Sequence, residues 1–170
     1  MNSLLNPFSN KLLSVAQAIL GATIVVGVLD AVNGVIAYGF LGRNPIQVLQ
    51  YIASGAFGTA SFQGGLGTAF AGLLFHFLIA LIVVAIYILA SRSIPVLAQY
   101  PTFFGLLYGA AVYLTMTYLV LPHTAVPASP FSLPLFLNGV IGHALFVGLP
   151  TALYAKRSGL STTTQSNVVA

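Results

Sequence analysis

The chain has 170 residues, of which 58% are hydrophobic and 4% charged, where an average soluble domain carries roughly 25% charged residues. Five Lys and Arg, one acid and three His are too few to cover a water-soluble surface, so a soluble globule is excluded and a multi-pass helical membrane protein is expected. With no Cys and a single carboxylate, Asp30, thiolate chemistry, paired-carboxylate hydrolysis and oxygen-rich cation sites are excluded, and the net charge of +4 comes from scarce acids rather than a basic cluster that would bind nucleic acid.

Apolar runs long enough to cross the roughly 30 Å hydrocarbon layer occupy about residues 12–41, 65–91, 101–121 and 134–155. The first follows Lys11 and stops at Gly42-Arg43-Asn44-Pro45. It is too long for a secretory signal, and no cleavage site follows it. Residues 43–64 come next: Ile46, Leu49, Ile52, Ala53 and Ala56 recur at helical spacing behind Pro45, which predicts a short interfacial helix, with a re-entrant segment as the alternative. Gly55, Gly58, Gly64 and Gly65 break that helix. The second run ends at Arg92 and Pro95. Pro122, Pro127, Pro130 and Pro134 make 122–133 a loop, with His123 as a surface residue, and Lys156-Arg157 close the fourth run. Residues 1–10 and 158–170 are expected as flexible tails. Lys11, Arg92, Lys156 and Arg157 fall on one side and Arg43 on the other, which predicts both termini in the cytoplasm. The fold class is therefore all-α, a single transmembrane domain over 11–157 built as a four-helix bundle.

The faces of the helices carry the next signal. Gly65, Ala69, Gly72, His76 and Ala80 form a small-residue stripe on the second run, Gly105 and Gly109 a GxxxG on the third, and Gly139 and Gly142 flank His143 on the fourth. These glycines are the expected packing positions. At about 1.5 Å per residue, Asp30 lies roughly 28 Å above Lys11, His76 roughly 24 Å above Arg92 and His143 roughly 20 Å above Lys156. Thr115 and Tyr118 reach a similar level from Pro101. The expected intramembrane polar layer is thus Asp30, Asn33, His76, Tyr108, Thr115, Tyr118, Asn138 and His143.

Ionisable groups at such depth cost a few kcal/mol and turn inward. One reading makes the layer a structural anchor of hydrogen bonds between helices. A second makes His76 and His143 axial ligands of b-type haem, with the small residues making room. A third makes Asp30, His76 and His143 a proton or small-solute pathway, built as an oligomer. No catalytic motif is found and no enzyme is expected, nor any cofactor beyond the haem alternative; no metal site is assigned. The expected partners are the lipid bilayer and a second copy or another membrane protein.

Gly72-Leu73-Leu74-Phe75-His76, Gly105-Leu106-Leu107-Tyr108-Gly109, Leu121-Pro122 and Gly142-His143 occur in an order that resembles the YagU-like bacterial inner-membrane proteins and related uncharacterised multi-pass families. The resemblance covers about residues 65–157. It implies a bacterial inner membrane and no assigned reaction. The first run and its link, including Leu49 to Gly55, do not match that pattern. The best-supported expectation is a structural or accessory component of that membrane.

Overall fold

Two reciprocal caps start the first two helices of the computed structural model, which describes residues 13–159. The Ser14 hydroxyl accepts from the Gln17 N–H while the Gln17 carboxamide accepts from the Ser14 N–H, opening α1 (Val15–Gly39). Asn44 and Gln47 repeat the device with Pro45 in the first turn, opening α2 (Pro45–Phe57). Gly58, at φ 60°, ends α2, and a 3-10 turn over Gly58–Gln63 leads to Gly65, at φ 58°, which admits the reversal into α3 (Gly65–Ser93).

Pro95 stops α3 from continuing, and one turn, α4 (Val96–Gln99), bridges to α5 (Pro101–Thr115). α5 widens into π-helical turns at Met116–Val120 and a 3-10 turn at Leu121–His123. After an extended stretch, α6 (Leu133–Gly142), a π-helical segment at His143–Gly148 and α7 (Leu149–Gly159) make one continuous rod. Among the described residues there is no strand. Four helices are long and apolar enough to cross a membrane: Val15–Gly39, Gly65–Ser93, Pro101–His123 and Leu133–Ser158.

The boundaries differ from the sequence expectation in four places. α4 was not anticipated. Helical turns run on through His123, which shortens the loop to 124–132. The first helix ends at Gly39 rather than near residue 41, because Phe40 and Leu41 enter a turn closed by the Tyr38 carbonyl. Ser158 and Gly159, expected in a tail, are helical, and Ser158 is 8% exposed with its hydroxyl donating to the Ala155 carbonyl. Lys11, residues 1–10 and the tail beyond 159 lie outside the described residues.

The four long helices alternate in direction, so the start of α1 and the end of α7 meet at one end, where the Leu13 N–H donates to the Arg157 carbonyl at 3.3 Å. This is the terminal end; the α1–α2 and 124–132 links form the distal end. The fourth helix touches the other three, α1 and α3 pack on each other, and α5 rests chiefly on the fourth. The core is made of small and β-branched side chains: Ala18, Ala22 and Val26 of α1, Ala80, Val84 and Ile88 of α3, and Val147, Ala152 and Ala155 of the fourth helix. Larger apolar residues point outward, as Phe70, Leu74, Leu78, Ile82 and Ile86 do along α3. That inversion of a soluble protein's pattern suits lipid as solvent.

Glycines let backbones meet where the helices cross. A Cβ on Gly72 would overlap the Leu49 carbonyl of α2, one on Gly109 the His143 carbonyl, and one on Gly148 the Gly105 carbonyl. The α5–fourth-helix crossing is thus Gly105 and Gly109 against the π-helical segment. Gly139 accommodates the Tyr113 ring and Gly142 the Asn33 carboxamide. Gly65 is the exception among the expected packing glycines. It is exposed with open space over its Cα, so its role is the positive-φ turn rather than helix contact.

Candidate functional site

The polar layer gathers on α1. His76, carried by α3, places Nε2 2.8 Å from the Gly27 carbonyl. A carbonyl only accepts, so Nε2 carries the proton and donates, and the lone pair stays on Nδ1. Gly27 is where α1 lacks a side chain, and the Phe77 ring fills that space beside the histidine, edge-on to it at 5.6 Å.

One turn further along the same face, Asp30 Oδ1 lies 3.8 Å from His143 Nδ1 of the fourth helix. His143 Nδ1 also donates to the Gly139 carbonyl at 3.0 Å, one turn back in its own helix, which leaves Nε2 as the imidazole's acceptor. The Tyr113 ring covers the imidazole at 5.2 Å between centroids. Asp30 and His143 side chains are 20% and 22% exposed. The chain's single acid is therefore matched with a histidine, beyond hydrogen-bond distance but within reach of a strong Coulomb interaction when both are charged. Another turn along, the Asn33 carboxamide occupies the notch at Gly142.

Asp30, Asn33, His76 and His143 thus lie along one side of α1. Asn138, half-buried, lies one turn from Gly142 and makes no side-chain hydrogen bond among the described residues. Three expected members fall elsewhere. Tyr108 belongs to a lower level: its hydroxyl donates at 2.7 Å to the carbonyl of Val83, seven residues along α3 from His76, and its ring packs tilted against Tyr87 at 4.8 Å. Seven residues are about 10 Å of helix, so Tyr108 ties α5 to α3 nearer the terminal end. Thr115 is exposed and Tyr118 is 60% exposed, on the outside of the bundle. The rotation of α5, set by the glycine crossing, turns both outward.

A second polar cluster was not anticipated. Gln50, 4% exposed, donates from Nε2 to the Gly65 carbonyl at 3.0 Å, and the Thr68 hydroxyl donates to the Ser61 carbonyl at 2.6 Å. Together they pin α2 and the 3-10 turn onto the start of α3. Ser61 Oγ is buried there without a partner. The only sequence signal was a Gln within an apolar helix, which the glycines around it overshadowed.

For the haem alternative, each histidine gives one ring N–H to a backbone carbonyl and keeps the other nitrogen, His76 Nδ1 and His143 Nε2, as the one able to bind a metal, while the notches that were expected to make room for a macrocycle are filled by the Leu49, His143 and Gly105 backbones and by the Phe77 and Tyr113 rings. Among the described residues no group of three His, Asp or Glu side chains is placed to hold a metal ion. What the geometry can do is cross-link helices through hydrogen bonds and hold one carboxylate near one imidazole.

The fold and site define an all-helical four-helix bundle with the composition of a membrane protein. No protein-family model, curated protein or solved structure matches the chain.

Proposed function

We propose that the chain is a structural or accessory component of the bacterial inner membrane, spanning it four times with both termini in the cytoplasm and catalysing no reaction of its own. The observation that carries this is how the polar layer is used within the bundle: His76 hydrogen-bonds the Gly27 backbone, His143 bonds within its own helix beside Asp30, and the Asn33 carboxamide packs into the notch at Gly142. Each contact fastens a helix or fixes a side chain, as polar groups in lipid do. Arg92, Lys156 and Arg157 at the terminal end against Arg43 at the distal end support the orientation. The resemblance of residues 65–157 to YagU-like proteins supports the same membrane and adds no reaction.

The distance of 3.8 Å between Asp30 and His143 favours one second reading, proton passage through an oligomer, because it sets the chain's one carboxylate beside an imidazole, two groups able to carry a proton, inside the bundle. Purified protein in liposomes with a pH-sensitive dye inside decides between them. An imposed pH gradient should decay no faster than in empty liposomes. A faster decay that Asp30→Asn abolishes would replace the structural reading with the proton pathway.

A further inference from the structure

At the distal end, a cleft of about 60 Å³ opens between the end of α1, the start of α2 and the 124–132 link, lined by Tyr38, Arg43, Gln47, Tyr51, Phe62 and Ser129. Its polar groups are cationic or able to donate. The guanidinium of Arg43 has no side-chain counter-ion in the chain, because the single acid, Asp30, is placed against His143. Gln47 uses its carboxamide oxygen to cap Asn44, which leaves its NH₂ as the free end. The hydroxyls of Tyr38, Tyr51 and Ser129 add three further donors, and the start of α2 contributes the positive end of a helix dipole. The Tyr38 and Tyr51 rings pack at 5.8 Å, giving the cleft an apolar wall.

Depth selects the anion. The twenty residues from Arg92 back to Gly72 span about 30 Å of helix, the thickness of the hydrocarbon layer. Gly72 is where α2 crosses α3, so α2 lies at the distal edge of that layer and the cleft beside its first turn lies among the headgroups. Arginine forms paired hydrogen bonds with phosphate oxygens, and tyrosines concentrate at this level. A cavity of this size takes the phosphate of a lipid while the acyl chains remain along the exposed apolar face.

The geometry points to a binding site for the phosphodiester headgroup of an anionic phospholipid, held by Arg43 with Tyr38, Tyr51 and Ser129. This inference rests on the membrane placement in the proposed function.

The test uses the full chain purified in detergent, with thermal stability read against added short-chain phosphatidylglycerol, short-chain phosphatidylcholine and inorganic phosphate at matched ionic strength. Phosphatidylglycerol should stabilise the protein most. Arg43→Gln, at an exposed turn where folding is not at stake, should weaken its apparent affinity about tenfold, the worth of one charge-assisted hydrogen bond. Tyr51→Phe should weaken it less. Equal affinity in Arg43→Gln overturns the site, and inorganic phosphate binding as tightly as the lipid overturns the lipid assignment in favour of a free anion. Flotation with vesicles of phosphatidylcholine alone checks the membrane placement separately: a chain that fails to float there refutes the placement, whatever the Arg43 result.

Discussion

Gly109→Ala adds one carbon where α5 and the fourth helix cross backbone to backbone. Its Cβ would overlap the His143 carbonyl oxygen and lie 2.6 Å from the carbonyl carbon and 2.7 Å from Ala144 Cα, where ordinary contact begins at 3.4 Å. Those atoms are backbone and cannot rotate away. The fourth helix must retreat by about 1 Å, and a gap of that size forfeits a quarter to a half of the dispersion energy along the crossing. Gly105 and Gly148 share the same interlock, so their contacts loosen too. Overpacking of this kind costs about 1–3 kcal/mol, and the backbone clash places this case at the upper end, about 3 kcal/mol or roughly a hundredfold in the folded-to-unfolded ratio. The assay is equilibrium unfolding in mixed micelles with increasing dodecyl sulfate, followed by circular dichroism or tyrosine fluorescence. Gly34→Ala is the control, because nothing lies within 4 Å of its added Cβ and Ala favours the helix. A Gly109→Ala protein as stable as Gly34→Ala would refute the crossing and, with it, the outward rotation of Thr115 and Tyr118.

Other outcomes follow from the same contacts. His76→Leu removes the hydrogen bond to Gly27 and should lower stability by about 0.6 kcal/mol, up to about 1.7, in the same unfolding assay; an unchanged midpoint would mean that His76 ties nothing together. Asn44→Ala removes the α2 cap and should cost about 1 kcal/mol at the helix start, read as faster proteolysis between residues 40 and 50 with little change in global unfolding. Single cysteines in 124–132 should react with an impermeant maleimide on intact cells, while cysteines beyond residue 159 should react only after lysis; the reverse pattern would invert the proposed orientation. Protein purified from haem-replete cells should show no Soret band, since the Phe77 and Tyr113 rings and the crossing backbones fill the notches a macrocycle would need; a band lost in both His76→Leu and His143→Leu would overturn that expectation.

The four long helices were legible because each is a local matter. Hydropathy marks the runs, and Pro45, Pro95, Pro101 and Pro134 mark where helices begin or stop. α2 was legible as a helix through Pro45 and the spacing from Ile46 to Ala56, although its docking at Gly72 was not. α4 was missed because a single turn has too few residues for a periodic signal. For the site, Asp30, Asn33, His76 and His143 stood out as polar groups among apolar ones, and the structure places them along one side of α1. Tyr108 joined the expected layer by sharing a side of its helix with Thr115, and its hydroxyl finds the Val83 carbonyl well below that level. Gln50 did not stand out, because a side-chain amide that pairs with a distant carbonyl leaves no pattern in the chain.

By itself, then, the sequence determined where the helices lie and which residues must be explained inside an apolar bundle. The reason is that a backbone in an apolar medium must satisfy its hydrogen bonds within its own segment, so helix formation depends on neighbours in the chain. Only the tertiary structure decided how each helix is rotated. Both faces of a helix such as α5 are apolar enough for lipid or for protein, so hydropathy does not choose between them. Backbone contact at Gly105 and Gly109 does, turning Tyr113 toward His143 and Tyr118 outward.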